Sequence, residues 1–439
     1  MMRYRLLAVV LLGALLSVTG CSEPTSVGAN IGPDSLQGGA PLTQEVAPTS
    51  LQSTTEPTLT GIDASAPGGS RAWRFLTGTV LDPIGGELRA TGYLDFSGSQ
   101  EPAQSIQTAL SSGLDAELRL LPTYVHGDTS STVNVTLYAL ASEAEMSRAP
   151  SDTSFAEEPQ ELGTYTISPN DSLVTLPLPT SWIDEHLSAL KDSAAFGDKI
   201  NGFKFVSTDQ ASSANRQVVV GFELSSAALR LSSTSDTTDF RALKAFTEIE
   251  RLSGPNIPPN TRLLQDGLGT GVTFEWNFDE PPLDSLRNAA LNNAAVTVPL
   301  DTAQMRASLS GTTADFTRPL PNGYRIIGTL REDRPDCGQL GLFPLPEDNR
   351  SCTLPTVSAW APEAARLESN TAFQIFQQAF VDTPVFRRYR VEITMRESSG
   401  TQTQGTLQRG LPSTLPALIP TLDSPVEERP RATLTVTPL

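Results

Sequence analysis

Two histidines, His126 and His186, and three cysteines, Cys21, Cys337 and Cys352, are the side chains best suited to general-base, nucleophilic or metal chemistry in this 439-residue chain. His126 lies in "YVHGDT", which reads as a turn between strands with Asp128 within pairing range. His186 lies in "SWIDEHLSAL" beside Asp184 and Glu185, residues that diverge around a helix and do not converge on one point. Both histidines are expected at surface or capping positions. No Gly-x-Ser-x-Gly elbow accompanies them, so acyl transfer lacks a nucleophile and an orienting partner. "GLGTGV" (267–272) lacks the Lys-Ser/Thr of a phosphate loop and leads into a strand, where anion binding needs a helix N-terminus; a β-turn is expected.

A glycoside hydrolase needs two carboxylates held about 5 to 9.5 Å apart across a cleft. Glu275 and Asp279 share the polar face of a strand, as on any solvated face. No "DxDxDG" run marks a calcium loop. Among aromatics that a sugar ring might stack on, Trp276 is committed to a core by alternation; Trp182 and Trp360 are less committed, and core packing is expected for them too. The sequence therefore carries no catalytic residue, no metal ligand set and no cofactor site, and the ligand-binding residues stay open.

Cys337 and Cys352 bracket the loop-like "CGQLGLFPLPEDNRSC". Outside the cytoplasm such a pair reads as a structural disulfide, and closing a loop of this size stabilises by about 3 kcal/mol. A redox pair would usually sit two residues apart.

The compartment is read from the other end. Arg3 and Arg5 precede an apolar run, Leu6 to Leu16, broken only by Gly13 and too short for a permanent span of about 20 residues. Val18-Thr19-Gly20-Cys21 then resembles the cleavage box of bacterial lipoproteins. That resemblance implies removal of residues 1–20 and acylation of Cys21, with palmitate-type chains whose buried methylenes contribute roughly 0.8 kcal/mol each. An Asp after the cysteine retains many Gram-negative lipoproteins in the inner membrane; here the position is Ser22, so an outer-membrane lipid anchor is expected, facing either the periplasm or the exterior.

The whole chain has a net charge of −18, and cleavage would remove two arginines and no acid. Nucleic acid is thereby excluded as a partner, and anionic lipid surfaces would repel the chain. Lysine is scarce, at Lys191, Lys199, Lys204 and Lys244, a bias found in proteins of salt-loving bacteria and also produced by GC-rich codon usage.

Residues 21–70, with "APTSLQSTTEPTLTG" and "SAPGGS", are Ser/Thr/Pro/Gly-rich and read as a flexible tether. Beyond it the period is two. "VTFEWNFD" (272–279) places Val272, Phe274, Trp276 and Phe278 on one face, and "VNVTLYAL" (133–140) does the same with Val133, Val135, Leu137 and Ala139. "NGFKFVS" and "QVVVGFEL" read as a further pair of strands. Helical signal is sparse: "SWIDEHLSAL" (181–190), with Ser181 and Asp184 as a capping box, and "TAFQIFQQAF" (371–380).

An internal repeat is visible. "ATGYLDF" (90–96) precedes "LDAELRLLP" (114–122) as "VTFEWNFD" precedes "LRNAALNNAAVTVP" (286–299), and the halves end on "SAALRLSS" and "RATLTVTP". The fold class expected is all-β: two tandem jelly-roll-like antiparallel β-sandwiches, 71–235 and 240–439, after the tether, with few short helices and a break near "LSSTSDTTD" (231–239).

The order of the cleavage-box cysteine, "VGANIGPDSL" (27–36), "FLTGTVLDPIGGELRATGYLDF" (75–96), "LDAELRLLPTYVHGDTSSTVNVTLYAL" (114–140), "FTEIERLSG" (246–254) and "LLQDGLGTGV" (263–272) resembles an uncharacterised lipoprotein family of Bacteroidota, a domain of unknown function. Its most specific parts are Leu76, Gly78, Asp82, Pro83, Gly86 and Ala90, and the step Gly127-Asp128-Thr129. The cysteine pair lies outside the pattern. The resemblance implies location and fold and supplies no activity. Asp-Ser/Thr steps at Asp34, Asp171, Asp192, Asp236, Asp284 and Asp301 are similar to the O-glycosylation sequon of that phylum. The functional expectation is a lipid-anchored outer-membrane protein, non-enzymatic, with a structural or protein-interaction role in the cell envelope; the alternatives are a glycan-binding surface lipoprotein and, more weakly, a glycoside hydrolase-like enzyme. Its partners are the membrane through the acyl anchor and an envelope protein or glycan.

Overall fold

The computed structural model describes residues 40–55, 74–141, 157–209, 217–268, 270–286, 289–320, 323–340, 342–345, 348–353, 358–361, 366–369, 376–377, 385–396, 410–411 and 413–438. Their fold is antiparallel β with five short helices, as the period-two pattern requires. None of those helices is long and apolar enough to cross a membrane.

Two strands precede the first half: β1 (Leu42–Val46) and β2 (Ser50–Thr55). The first half then runs β3 (Arg74–Asp82), β4 (Gly86–Phe96), α1 (Gln104–Thr108), β5 (Asp115–Leu120), β6 (Pro122–Asp128), β7 (Val133–Leu140), β8 (Glu157–Ile167) and β9 (Val174–Pro177). It continues with α2 (Thr180–Leu190), α3 (Ser193–Lys199), β10 (Phe203–Ser207), β11 (Val218–Glu223), β12 (Ala228–Ser232) and β13 (Thr237–Arg251). One layer is ordered β6-β11-β3-β4, with β10 carrying the same edge of β4 onward to β7 and β8; the other is β12-β5-β9. β13 belongs to both, pairing with β12 up to Arg241 and with β4 from Ala242, where a bulge shifts the register. Inward residues of the two layers, among them Phe75, Leu118, Leu137, Phe205, Leu229 and Phe240, form one core.

The second half repeats this plan. It contains β14 (Thr261–Gln265), β15 (Thr270–Glu275), α4 (Leu283–Leu286), β16 (Ala289–Pro299), α5 (Thr302–Ala307), β17 (Phe316–Thr317), β18 (Gly323–Leu330), β19 (Phe343–Leu345) and β20 (Asp348–Thr353). β21 (Ser358–Ala361), β22 (Arg366–Ser369), β23 (Phe386–Arg396), β24 (Gly410–Leu411), β25 (Pro416–Pro420) and β26 (Arg431–Pro438) complete it. The layers are β25-β14-β15-β23-β18-β20-β19 and β26-β16-β22-β21. Thus β14, β15, β16, β22, β23, β25 and β26 take the pairings that β3, β4, β5, β9, β10, β11 and β12 take in the first half. The repeat expected from the sequence is present in the topology, down to α1 and α4 between corresponding strands.

One strand is exchanged. The double-layer role of β13 is filled in the second half by β1, which pairs with β26, and β2, which pairs with β15. Val46 and Leu51 enter the second core with Phe274, Val296 and Leu434. The expectation of a tether across 21–70 therefore does not hold at residues 42–55, where β1 and β2 bury Val46 and Leu51 and pair with sheet edges that would otherwise expose backbone donors and acceptors.

Two other local readings need correction. α2 begins at Thr180 with Pro179 as its N-cap and no side-chain cap, so Ser181 lies inside the first turn and no capping box forms. "NGFKFVS" and "QVVVGFEL" are not neighbours: β10 pairs with β4 and β7, β11 with β3 and β6. Phe376 is buried in the second core, and the rest of the expected helix 371–380 lies outside the described residues apart from Gln377.

Val218, Val219 and Val220 are all buried because β11 is covered on both faces. Val218 and Val220 face the first core, while Val219 joins Leu76, Val80, Leu88, Ala90, Tyr124 and Ile249 on the outer face, against Leu268 and Phe316 of the second half. That outer face is the seam between the halves.

Candidate functional site at the seam

The seam holds the most concentrated polar chemistry of the described residues. Asp82 ends β3 and starts the turn "DPIGG", where its Oδ1 accepts from the backbone N–H groups of Ile84 and Gly85, each at 2.8 Å. The turn needs glycine at Gly86, whose φ is +82° and whose Cβ would lie 2.5 Å from the Ser253 carbonyl oxygen. Tyr124 and His126, two apart on β6, share its outward face. Thr414 arrives from the segment entering β25, and Arg318 follows β17.

These groups form one closed chain. The Arg318 fork donates from Nε to Asp82 Oδ2 at 2.7 Å and from Nη2 to Oδ1 at 3.0 Å, while Nη1 donates to the Met305 carbonyl at 2.7 Å. His126 Nε2 is 3.0 Å from Asp82 Oδ2, and Nδ1 is 2.7 Å from Thr414 Oγ1. Tyr124 Oη is 3.2 Å from Thr414 Oγ1 and accepts from the Thr414 N–H at 3.1 Å. Hydrogen-bond bookkeeping assigns the protons: Tyr124 donates to Thr414, Thr414 to Nδ1, and Nε2–H to Asp82, leaving one carboxylate matched by one guanidinium. The Arg74 guanidinium lies 4.8 Å from the centre of the Tyr124 ring.

Burial by itself would raise the Asp82 carboxyl, but the hydrogen bond from His126 and the charge and hydrogen bonds of the Arg318 guanidinium hold it well below the usual carboxylate range. Burial pushes the Tyr124 phenol up to about 12, against weaker opposing hydrogen bonds from Thr414.

Carboxylate, imidazole and hydroxyl in a row have the composition of a nucleophilic relay, but access and wiring differ. The His126 and Asp82 side chains are 0% exposed and Thr414 is equally closed, so no substrate reaches the hydroxyl. In serine hydrolases the carboxylate holds Nδ1 and the hydroxyl meets Nε2; here the two ends are reversed. What the arrangement does is join the halves, since Asp82, Tyr124 and His126 come from the first and Arg318 and Thr414 from the second. The expected turn position and Asp128 pairing of His126 are thus corrected: it is a buried strand residue paired with Asp82, because covering the outer face of β6 leaves its ring no route to water. No family model and no curated protein matches the chain.

Above the network a half-open cleft of about 470 Å³ lies between the halves. Leu81, Pro83, Asp128 and Gln217 line it from the first half, and Ser308, Ser310, Thr312, Thr313 and Phe316 from the second. Phe316 is also the lid on the network, its ring edge-on to His126 with centroids 6.0 Å apart. Asp128 Oδ1 accepts from Ser130 N–H at 2.9 Å and Ser130 Oγ at 2.6 Å, and despite partial desolvation these bonds hold its carboxyl below the ordinary value. Gly127 must be glycine: its φ is +117° and a Cβ would stand 2.0 Å from the Gln217 carbonyl oxygen. The Gly-Asp-Thr step noted in the sequence therefore shapes the rim of the cleft.

The other residues singled out from the sequence do not converge. His186 stacks on Trp182 with centroids 4.7 Å apart and bonds the Trp182 carbonyl through Nδ1 at 3.0 Å. Trp182 is buried in the first core, Trp276 in the second, and Trp360 pairs across β21–β22 with Leu367. Glu275 accepts from Arg388 Nε at 2.6 Å on an exposed strand face, and Asp279 is exposed. Cys337 and Cys352 are bonded to each other, Cα atoms 5.6 Å apart, in the second core. Of "GLGTGV", Gly267 and Leu268 lie in the turn after β14 and Thr270, Gly271 and Val272 begin β15. Asp192 and Asp301 of the Asp-Ser/Thr steps are helix N-caps, accepting from Ala194 and Ala195 N–H and from Gln304 N–H. Cys21 and Asp34 lie outside the described residues. Among the described residues no three His, Cys, Asp or Glu side chains are placed to hold a metal ion.

Sequence reasoning missed Arg318, Thr414 and Tyr124. The available signal was the alternation Tyr124-His126-Asp128, which sets polar tips on one face of a strand, and the Asp82-Pro83 step that begins a tight turn.

Proposed function

We propose that this chain is a lipid-anchored outer-membrane lipoprotein of the uncharacterised Bacteroidota type, with a non-enzymatic structural or binding role in the envelope. The observation that carries the non-catalytic reading is the burial of the Asp82–His126–Thr414 row: its reactive groups are spent on holding two sandwiches together. Among the described residues one carboxylate, Asp128, lines the cleft above them, where glycoside hydrolysis needs two. Beside Asp128 the described polar lining is hydroxyls and amides, which favours glycan binding as the second reading.

An anchor at Cys21 would act through β1, since the chain from Cys21 to Leu42 reaches at most about 75 Å. The second half, which β1 joins, would stand nearer the bilayer. Fatty-acid labelling and membrane fractionation test the anchor. Wild type should carry label and sediment with outer membranes, and Cys21→Ala should lose both; equal labelling of the two would sink it. Cross-linking in intact envelopes should then trap an envelope protein or glycan, and turnover of a glycoside or ester substrate lost on Asp128→Asn would overturn the non-enzymatic role.

A further inference from the structure

The seam cleft has a lining that selects the chemistry of its occupant. Beyond α5 three hydroxyls turn back onto the helix: Ser308 Oγ donates to the Met305 carbonyl at 2.8 Å, Ser310 Oγ to Ala307 at 2.7 Å and Thr312 Oγ1 to Leu309 at 2.8 Å. Ser308 Oγ also accepts from Arg318 Nη1 at 3.1 Å, whereas Ser310 and Thr312, with their hydrogens used, keep lone pairs as acceptors in the lining. Asp128 on the opposite wall is a carboxylate held by hydrogen bonds from Ser130, Thr313 and Ser131, which make that wall acceptor-rich. Gln217 adds an amide to the lining.

Among the described residues no Lys, Arg or His lines the cleft; Arg318 beneath it is turned inward onto Asp82. An anionic ligand would find no counter-charge and would approach a chain of net charge −18. A hard cation needs six or more oxygens, usually several of them carboxylate, and the cleft offers one acid whose Oδ1 is already engaged by Ser130. What suits an acceptor-rich concavity of this size is a neutral molecule bearing many O–H donors, with Phe316 supplying an apolar surface for its C–H face.

We infer that the seam cleft binds a neutral carbohydrate, held between Asp128 and Gln217 of the first half and Ser310 and Thr312 of the second. The inference rests on the glycan-binding reading and narrows it to one place and one class of sugar. Because both halves contribute walls, occupancy also clamps the seam.

The test uses detergent-solubilised full-length chain on an array of neutral gluco-, manno-, galacto- and xylo-oligosaccharides, with uronate and sulfated oligosaccharides and acidic and basic peptides as competing classes. Binding to a neutral oligosaccharide, a rise in unfolding temperature with that sugar, and at least a tenfold loss of affinity in Gln217→Ala and in Ser310→Tyr, which fills the cleft, are the results expected. Melting curves of both variants verify folding, and either one alone decides. Neutral-sugar binding that survives both substitutions overturns the cleft and leaves glycan binding standing elsewhere on the molecule. Binding of no neutral sugar, or preference for a charged sugar or peptide, overturns the inference and the glycan reading together.

Discussion

His126 Nε2 lies 3.0 Å from Asp82 Oδ2 with both side chains closed to solvent, and the same carboxylate takes both arms of Arg318 from the opposite half. A carboxylate in such a place is tolerable only when every lone pair is used, and five donors converge on this one: two backbone N–H groups, His126 and two from Arg318. The consequence is directional. The first half can satisfy Asp82 only when the second half delivers Arg318, so correct docking of the two sandwiches is written into a polar network and reinforced by the apolar face around Leu76, Val80 and Val219.

Asp82→Asn should therefore uncouple the halves. The substitution keeps shape but leaves the guanidinium buried without its counter-charge, a loss of about 3–5 kcal/mol. Differential scanning calorimetry should show one cooperative transition in wild type and two in the variant. A single transition at unchanged temperature would mean that the apolar seam alone couples them.

The pH dependence follows from the depressed Asp82 carboxyl. In the unfolded chain this group takes up its proton near pH 4, whereas the folded chain refuses it until far lower pH. Between those limits the unfolded state holds more protons, so its stabilising contribution is complete above pH 4 and declines as pH falls, by about 1.4 kcal/mol for each pH unit. Asp239, held low by the hydrogen bond from Arg230, acts in the same direction. Urea midpoints at pH 5, 4 and 3 should fall more steeply for wild type than for Asp82→Asn. At the alkaline end Tyr124 keeps its proton to about 12, so stability should drop as pH rises from 10, where the unfolded phenol ionises, and Tyr124→Phe should flatten that limb.

Cys337 and Cys352 close a loop with a sequence separation of 15, which contributes about 3 kcal/mol through the unfolded chain. Both sulfurs are buried in the second core. Cys337→Ala/Cys352→Ala should lower the midpoint of the single wild-type transition, and in the Asp82→Asn background should lower that of the second half and leave that of the first unchanged. Denaturation followed by Trp276 fluorescence for the second half and Trp182 for the first separates the two.

Much of this was legible in the sequence. Period-two burial held where both neighbours obey it, as in Phe274, Trp276 and Phe278, and the repeat was visible because corresponding strands keep corresponding alternation. "QVVVGFEL" was legible as a strand, but not that both of its faces are covered. His126 misled because a Gly-Asp-Thr sequence beside it suggests an exposed turn, while its exposure is decided by residues 316, 318 and 414, far away in sequence. Asp82 stood in a recognisable pattern, but its partners are contributed by the other half, and a linear reading has no means of joining them.

The N-terminal strands give the sharpest test of the architecture. β1 and β2 occupy in the second sandwich the place β13 occupies in the first, yet they precede the first in sequence. Removing residues 21–55 should strip Val46 and Leu51 from the second core and expose the edges of β26 and β15, whose unpaired N–H and C=O groups invite aggregation. The single wild-type transition should move to lower temperature or split, with the first sandwich, completed by its own β13, melting above the second. A synthetic peptide of residues 40–55 should restore it in trans by strand addition, with main-chain hydrogen bonds supplying affinity and Val46 and Leu51 fixing the register. The same peptide with Val46→Asp and Leu51→Asp should fail. Unchanged melting of the truncated chain would show that β15 and β26 need no partner on those edges and that residues 42–55 serve only to lead the chain in.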